Sequence, residues 1–291
     1  MLYDITLKIT YTYETPAASN RVMLRMLPLT LPEQKLISGF VGTDPQPDFR
    51  RDRIDFFGNP MTELAHDQAL SEVTFRFDGR VRRTPLDVSL DLSCAHAALP
   101  ETLAAIRSIA PESPHHFLGT SERIRHEPEI VDYARSQCEP GMSTLAVVRA
   151  LASALHRDMT FDPDSTEVGT TAIEAFRNRR GVCQDFTHIM ITALRALGIP
   201  AGYVSGFLRT YPPEGQERLE GADAMHAWVR AWCGGETGWV QIDPTNDMMV
   251  GADHIVVALG RDYADVAPVK GSHRAMGGHA TTHQVDVAPV V

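Results

Sequence analysis

Apolar residues in this chain repeat with two different periods, and this change of period constrains the fold more than any other feature. Near the N-terminus they alternate, which places Tyr3, Ile5, Leu7, Ile9 and Tyr11 on one face of a strand. After residue 143 they recur at three- and four-residue spacing, which is typical of helices. The sequence therefore predicts an α+β protein in which a strand-rich region precedes a helix-containing one.

Further short strands are predicted in the first hundred residues. They are Val22–Leu29, Arg53–Phe57, Ser71–Phe77 and Leu86–Leu92. Turn-forming residues at 57–60 (FGNP) and 77–80 (FDGR) separate some of them. Short strands at such intervals predict an N-terminal antiparallel β-sandwich over residues 1–105.

The second part of the chain is predicted to mix helices with strands. Residues 106–142, where proline, histidine and charged residues interrupt the pattern, form a connecting segment. Ser143 is a suitable N-cap for a first helix, and the Thr171-x-x-Glu174 capping box opens a second. A third helix starts near Cys183 and stops at Gly198.

Three strands follow these helices, and they complete a core over residues 143–270. They are Ala201–Leu208, His226–Trp232 and Trp239–Asp243. Residues 271–291 are rich in glycine, alanine and threonine, so we expect a flexible C-terminal tail.

Composition excludes several classes of function. The formal net charge of −10 argues against nucleic-acid binding, and no apolar stretch is long enough to span a membrane. No basic segment followed by an apolar one marks the N-terminus, so we expect a cytoplasmic protein. The four cysteines are scattered without CxxC spacing, which argues against a disulfide framework and against a structural zinc site.

Cys183 has the strongest chemical signal in the chain. It follows Gly181-Val182 at the start of an apolar helix, where unpaired amides and the helix dipole favour a thiolate. A buried, inert cysteine is the alternative. The flanking glycine and the polar Gln184-Asp185 make that alternative weaker here, because the first turn of such a helix is exposed.

A histidine and an aspartate downstream can be tested by strand geometry. If 226–232 and 238–243 form an antiparallel hairpin whose paired residue numbers sum to 469, His226 lies opposite Asp243, and Trp228 lies opposite Gln241. Cross-strand Cβ atoms are about 5 Å apart, so the imidazole and carboxylate could hydrogen-bond. A slip of two residues keeps both on one face, whereas a slip of one separates them.

The chain resembles the bacterial transglutaminase-like proteins of the papain-like cysteine hydrolase and transferase superfamily. Four segments carry this resemblance, namely TAIEAFRNRRGVCQDF at 171–186, AMHAW at 224–228, GWVQIDPTN at 238–246 and GRDYADV at 260–266. Their order is specific, although each segment alone is weak. The strand-rich first hundred residues resemble the domain that often precedes this core in bacteria.

This resemblance implies a Cys–His–Asp triad of Cys183, His226 and Asp243, with no metal or organic cofactor. It also implies a nucleophile-bearing helix packed on an antiparallel sheet. The backbone N–H of Cys183 is the natural oxyanion donor. Gln184, Asp185 and Trp228 are further candidates for binding substrate or the oxyanion, although Asp185 could also simply favour the first helical turn.

Taken together, the residues predict a cysteine-dependent enzyme that acts on amide or isopeptide bonds of a peptide or protein through a thioester at Cys183. Water as acceptor would make it a peptidase or amidase, and an amine would make it a protein-glutamine acyltransferase. The alternative is a transglutaminase-like scaffold that serves as a non-catalytic protein-binding module.

Overall fold

A computed structural model describes residues 1–84, 90–211 and 223–290 of the chain. Its strands are β1 Leu2–Leu24, β2 Gln34–Asp44, β3 Phe49–Ile54, β4 Pro60–His66, β5 Leu70–Arg83, β6 Thr160–Phe161, β7 Arg180–Gly181, β8 Ala201–Leu208, β9 Ala224–Trp232, β10 Trp239–Asp243, β11 Met248–Met249, β12 His254–Gly260, β13 Val269–Arg274 and β14 His279–Pro289. Its α-helices are α1 Leu99–Ala105, α2 Pro128–Ser136, α3 Thr144–Asp158, α4 Ala172–Asn178, α5 Cys183–Ala196 and α6 Tyr263–Val266.

The long strand β1 organises the N-terminal region. Its first half pairs with β5 and β14, its second half pairs with β4 and β13, and all four pairings are antiparallel. β2 and β3 extend this seven-stranded sheet at its two ends. Four residues of the predicted apolar face, Tyr3, Ile5, Leu7 and Ile9, are buried, and Tyr11 is half-buried. The predicted antiparallel, sheet-rich N-terminal region is therefore confirmed.

Individual strand predictions in this region were less accurate. Only the first three residues of Val22–Leu29 are in a strand, and β3 starts before the predicted Arg53–Phe57 and ends within it. Ser71–Phe77 lies within the longer β5, whereas most of Leu86–Leu92 lies outside the described residues.

The predicted turn at Asp78-Gly79 is wrong, because both residues lie inside β5. Gly79 has a packing role instead. A Cβ atom at this position would lie 2.5 Å from the Phe77 ring and 2.7 Å from the backbone oxygen of Ser38. Its missing side chain therefore lets β2 and β5 approach closely. The predicted turn at Phe57–Pro60 is present, with Gly58 at a φ of +85°.

The C-terminal segment is not a flexible tail, so that prediction is wrong. β14 pairs with β1 from Tyr3↔Pro289 to Tyr13↔His279, and its Val285 and Val287 side chains are buried. Composition misled here because backbone groups, which every residue carries, form most of the pairing.

The second region confirms most of the helix and strand predictions. Ser143 caps α3 by accepting from the Ala146 N–H, and Thr171 and Glu174 form the predicted capping box of α4. α5 begins at Cys183, and Gly198 after it adopts a φ of +76°.

A five-stranded antiparallel sheet with the order β11-β10-β9-β8-β12 forms the other layer of this region, and α5 packs on β8 and β9. β12, which was not predicted, is an edge strand of this sheet. Side chains of β8 and β12, Phe207, Ile255 and Val257, complete the apolar core of the N-terminal sheet. Within the described ranges, no helix is both long and apolar enough to cross a membrane.

Candidate active site

The start of α5 places Cys183 at the first helical position. The Cys183 thiol is half-buried, and the N–H groups of a first helical turn have no partner within the helix. Gly181 just before it lies in β7, where a Cβ atom would come within 2.7 Å of the Asp185 carboxylate. The glycine therefore lets the chain pass close to the side chain that caps the helix.

Asp185 and Gln184 both bind the chain itself. The Asp185 carboxylate accepts from the Val182 N–H at 2.8 Å and from the Thr166 hydroxyl at 2.7 Å. The Gln184 amide donates to the Val168 carbonyl at 3.1 Å. Burial raises the pKa of Asp185, against the opposing effect of its two hydrogen bonds. These contacts join the loop before α4 to the helix that carries the thiol, which favours a structural role for both residues over the predicted contact with substrate.

His226 lies on β9 and contacts both predicted partners. Its Nε2 is 2.7 Å from Asp243 Oδ2, which leaves Nδ1 as the nitrogen that can interact with the Cys183 thiol. The ring is only 8% exposed. Burial lowers the pKa of His226, but the hydrogen bond to Asp243 and the interaction with Cys183 outweigh burial and raise it to about 10. The two groups that raise this pKa are therefore the predicted partners of His226, Asp243 and Cys183.

The hairpin that carries these groups has a register different from the predicted one. Trp239 pairs with Trp232 and Ile242 with Val229, so the paired numbers sum to 471 rather than 469. The slip is two residues, because the connection between β9 and β10 is longer than expected. A two-residue slip keeps side chains on their face, so His226 and Asp243 still meet, but diagonally.

Asp243 is fully buried and accepts hydrogen bonds at both oxygens. Oδ1 accepts from the backbone N–H groups of Thr245 and Asn246, at 2.9 and 3.2 Å. Oδ2 accepts from His226 and from the Asn246 side chain, both at 2.7 Å, and lies 3.2 Å from His254 Nε2. Burial alone would raise the pKa of Asp243, but the bonds from the two histidines hold it well below its usual range.

Asn246 and His254 were missed by the sequence analysis. The Asp-Pro-Thr-Asn segment at 243–246 is a pattern in which an aspartate accepts from the backbone two residues on, so Asn246 could have been found. His254 had no local signal, because it starts the unpredicted strand β12.

Trp228 is fully buried, and its indole N–H donates to Gln241 Oε1 at 2.8 Å. Its ring packs edge-on against His254, with ring centroids 5.1 Å apart. Trp228 therefore supports the histidines from behind, and the prediction that it could bind the oxyanion is wrong because its N–H is buried and paired.

Ligand atoms of His226, Asp243 and His254 lie within 4.8 Å of one another, close enough in principle for a metal ion. The same nitrogen and oxygen atoms are already hydrogen-bonded to each other, because both imidazoles lie next to one carboxylate oxygen. This pairing satisfies the buried groups without an ion.

Two family models match the chain. The model described as the transglutaminase-like superfamily matches residues 131–244, and the one described as the bacterial transglutaminase-like N-terminal region matches residues 3–82. The first match contains Cys183, His226 and Asp243.

Similar proteins come from several bacteria. An uncharacterized protein of Mycobacterium tuberculosis is 34% identical over 277 residues, which are 92% of this chain and 86% of the relative. A protein-glutamine gamma-glutamyltransferase of Pseudomonas aeruginosa is 34% identical over 104 residues, which are 34% of this chain but only 15% of that protein. A crystal structure of a proposed cysteine protease from Cytophaga hutchinsonii aligns with a TM-score of 0.78 at 20% identity, covering 99% of this chain and 90% of that one. This last likeness shows the fold.

Proposed function

Because this chain belongs to the transglutaminase-like superfamily, we propose that it is a cysteine-dependent enzyme that breaks amide or isopeptide bonds. The observation that carries the proposal is that His226 Nε2 lies 2.7 Å from Asp243 Oδ2, while the Cys183 thiol at the start of α5 interacts with the same ring and helps to raise its pKa. In this arrangement a nucleophile interacts with its base, and the base contacts a carboxylate that orients it. Cysteine, histidine and aspartate are the proposed catalytic triad.

The reaction begins when the Cys183 thiolate attacks the carbonyl carbon of the amide. A carbon–sulfur bond forms, and the electron pair of the C=O bond moves onto the oxygen. The N–H of Cys183, at the start of α5, is the donor best placed to stabilise this oxyanion. Asp243 is held ionised by its buried donors, and it keeps the His226 ring in the orientation that directs Nδ1 at the thiol.

Collapse of the tetrahedral intermediate breaks the carbon–nitrogen bond. His226 gives its proton to the departing amine, and a thioester remains on Cys183. Neutral His226 then takes a proton from the acceptor, which attacks the thioester and releases the thiolate. We favour water as the acceptor, because hydrolysis requires no second site for an amine. The proposed substrate is then an amide bond of a peptide or protein. We also propose that the protein acts in the cytoplasm.

Incubation of the purified protein with γ-glutamyl and peptide substrates, with and without a primary amine, tests the proposal. Cys183→Ala should abolish product formation. The control Cys138→Ala should not, because it removes a half-buried thiol that is not part of the proposed triad. Amine incorporation that exceeds hydrolysis would assign acyl transfer instead. Equal activity of the wild type and Cys183→Ala would refute the mechanism.

Alkylation by iodoacetamide near neutral pH provides a measurement that needs no substrate. A thiolate–imidazolium pair should make Cys183 react faster than a model thiol, with the modified residue located by mass spectrometry. Reaction no faster than a model thiol would favour the non-catalytic binding module.

A further inference from the structure

His254 is a second histidine at the carboxylate of the proposed triad. It is 1% exposed, and its Nε2 lies 3.2 Å from Asp243 Oδ2, the same oxygen that contacts His226. The backbone N–H of Gly251 donates to His254 Nδ1 at 3.5 Å. Because Nδ1 accepts, Nε2 carries the hydrogen and donates to Asp243. His254 is thereby oriented from both sides of its ring.

The N-terminal sheet-rich region holds the strand that begins at His254. β12 is an edge strand, so its outer backbone groups need partners from outside its own sheet. The side-chain amide of Gln34 supplies them at Val256, donating to the carbonyl at 2.7 Å and accepting from the N–H at 2.8 Å. Asn59 repeats this two-way contact at Leu259, with both distances 2.8 Å. Two amides of the N-terminal region thus take the place of a neighbouring strand.

Two more contacts reach the residues just before β12. The Tyr3 hydroxyl, on β1, donates to Asp253 Oδ1 at 2.8 Å. The Arg83 guanidinium, at the end of β5, is buried and donates through Nε to the Gly251 carbonyl at 3.4 Å. Gly251 is the residue whose N–H contacts His254. A continuous series of contacts therefore links the N-terminal sheet to Asp243.

We propose that His254 is a positioning residue for the reaction and that the N-terminal region holds it in place through Tyr3, Arg83 and β12. This inference rests on the proposed function, because Asp243 and His226 must be catalytic for their orientation to matter. His254 and Asn246 approach Oδ2 together with His226, so the carboxylate keeps one rotation and offers His226 a fixed acceptor. Small displacements of such a group lower rates strongly, because catalysis needs side chains held within about 0.5 Å of the productive geometry.

Two substitutions of His254 separate positioning from simple packing. His254→Phe keeps a ring beside Trp228 but removes the donor, and His254→Gln restores an N–H at about the place of Nε2. We expect His254→Phe to lower kcat about 10- to 100-fold, by analogy with the loss found when partners that orient metal ligands are removed. KM should stay within about twofold, and His254→Gln should recover kcat to within about fivefold of the wild type.

The Cys183 alkylation rate is measured on the same variants, because it needs no turnover. It should fall in His254→Phe and recover in His254→Gln. If only the proposed function were wrong, the wild type would have a reactive Cys183 thiol but would form no product. The alkylation rates of the variants would then still show whether His254 orients the site. Retention of more than half of both kcat and alkylation rate in folded His254→Phe would overturn the inference, and so would equal losses in both variants. A wild-type thiol no faster than a model thiol would overturn it as well.

A pair of tyrosine variants tests the part played by the N-terminal region, including the case in which His254→Phe fails to fold. Tyr3→Phe removes the contact with Asp253, and Tyr13→Phe removes a similar bond on the same strand, from the Tyr13 hydroxyl to Asn20 at 3.1 Å. Both substitutions should lower the free energy of unfolding, measured by urea titration, by similar amounts. Only Tyr3→Phe should lower kcat, by about two- to fivefold, with KM unchanged. Equal kcat values in the two variants would show that the N-terminal region does not act on the site.

Discussion

Replacing Asp243 by asparagine changes one oxygen of the proposed site into an amide nitrogen. The backbone N–H groups of Thr245 and Asn246 contact Oδ1, so they fix the remaining oxygen of the new side chain at that position. Its NH2 group then takes the place of Oδ2. There it meets the nitrogen of His226 at 2.7 Å, with the donors of Asn246 and His254 beside it.

His226 has one way to avoid this donor–donor contact, namely to move its hydrogen from Nε2 to Nδ1. The nitrogen next to Cys183 would then donate rather than accept, so the ring could no longer act as the base. A hydrogen bond to a charged group contributes about 1.5–3 kcal/mol, and a buried donor left unpaired costs about 1–3 kcal/mol. Their sum, about 4 kcal/mol, corresponds to a loss of about a thousandfold in kcat, since each tenfold step is about 1.4 kcal/mol.

The assay measures kcat and the alkylation rate of Cys183 in Asp243→Asn and in a matched variant, Asp247→Asn. Asp247 is exposed, accepts from the Ser153 hydroxyl and has a φ of 50°, a conformation that asparagine also tolerates. Asp247→Asn should keep at least half of the wild-type rates. If folded Asp243→Asn kept more than a tenth of wild-type kcat, the assigned role of the carboxylate would be refuted.

Three further predictions concern stability. Gln34→Leu leaves the Val256 N–H unpaired and should lower the free energy of unfolding by about 3 kcal/mol in urea titrations. The control Gln284→Leu, on the exposed face of β14, should change this free energy by less than about 0.5 kcal/mol. Equal effects of the two substitutions would contradict the assigned contact. The raised pKa of His226, about 10, means that its protonation stabilises the fold fully below about pH 6.5 and that this contribution is lost as pH rises towards 10. The stability difference between wild type and His226→Gln should therefore shrink between pH 6.5 and 10, and a difference that grew with pH would have the wrong sign. Arg195 is buried and donates to the carbonyls of Ala201, Gly119 and Arg261. Arg195→Met should therefore lower the free energy of unfolding by at least about 3 kcal/mol in the same urea titrations. A decrease below about 1 kcal/mol would show that these bonds contribute little.

The features that could be predicted are those governed by neighbouring residues. Ser143 and Thr171 cap their helices because a cap needs only a side chain and an N–H three residues on. Cys183 begins α5 for a similar local reason, since the helical spacing starts there. His226 and Asp243 share a face because alternation along a strand is a property of each strand, even though the register was misjudged by two residues.

The features that were missed depend on residues far apart in the chain. Gly79 has the sequence signal of a turn residue, and its role in close strand packing depends on Ser38 of β2. The C-terminal segment has the composition of a flexible tail, and it forms a strand because it pairs with β1. The register of the hairpin differs from the predicted one by two residues. The connection contains hydrogen bonds between Cys233 and Gly238 and between Gly238 and Gly234, and composition does not specify these bonds.

By itself, the sequence determined the α+β class, the helix that begins at Cys183, and the set of thiol, imidazole and carboxylate groups. Periodicity, caps and strand alternation act over a few residues, so a single stretch of chain contains them. Only the tertiary structure decided that Asp243 accepts from His254 and Asn246 as well as from His226, and that Tyr3 and Arg83 of the N-terminal region contact the segment leading to β12. The physical reason is that a buried carboxylate must satisfy all its lone pairs, and here the partners come from strands that meet only after the chain has folded.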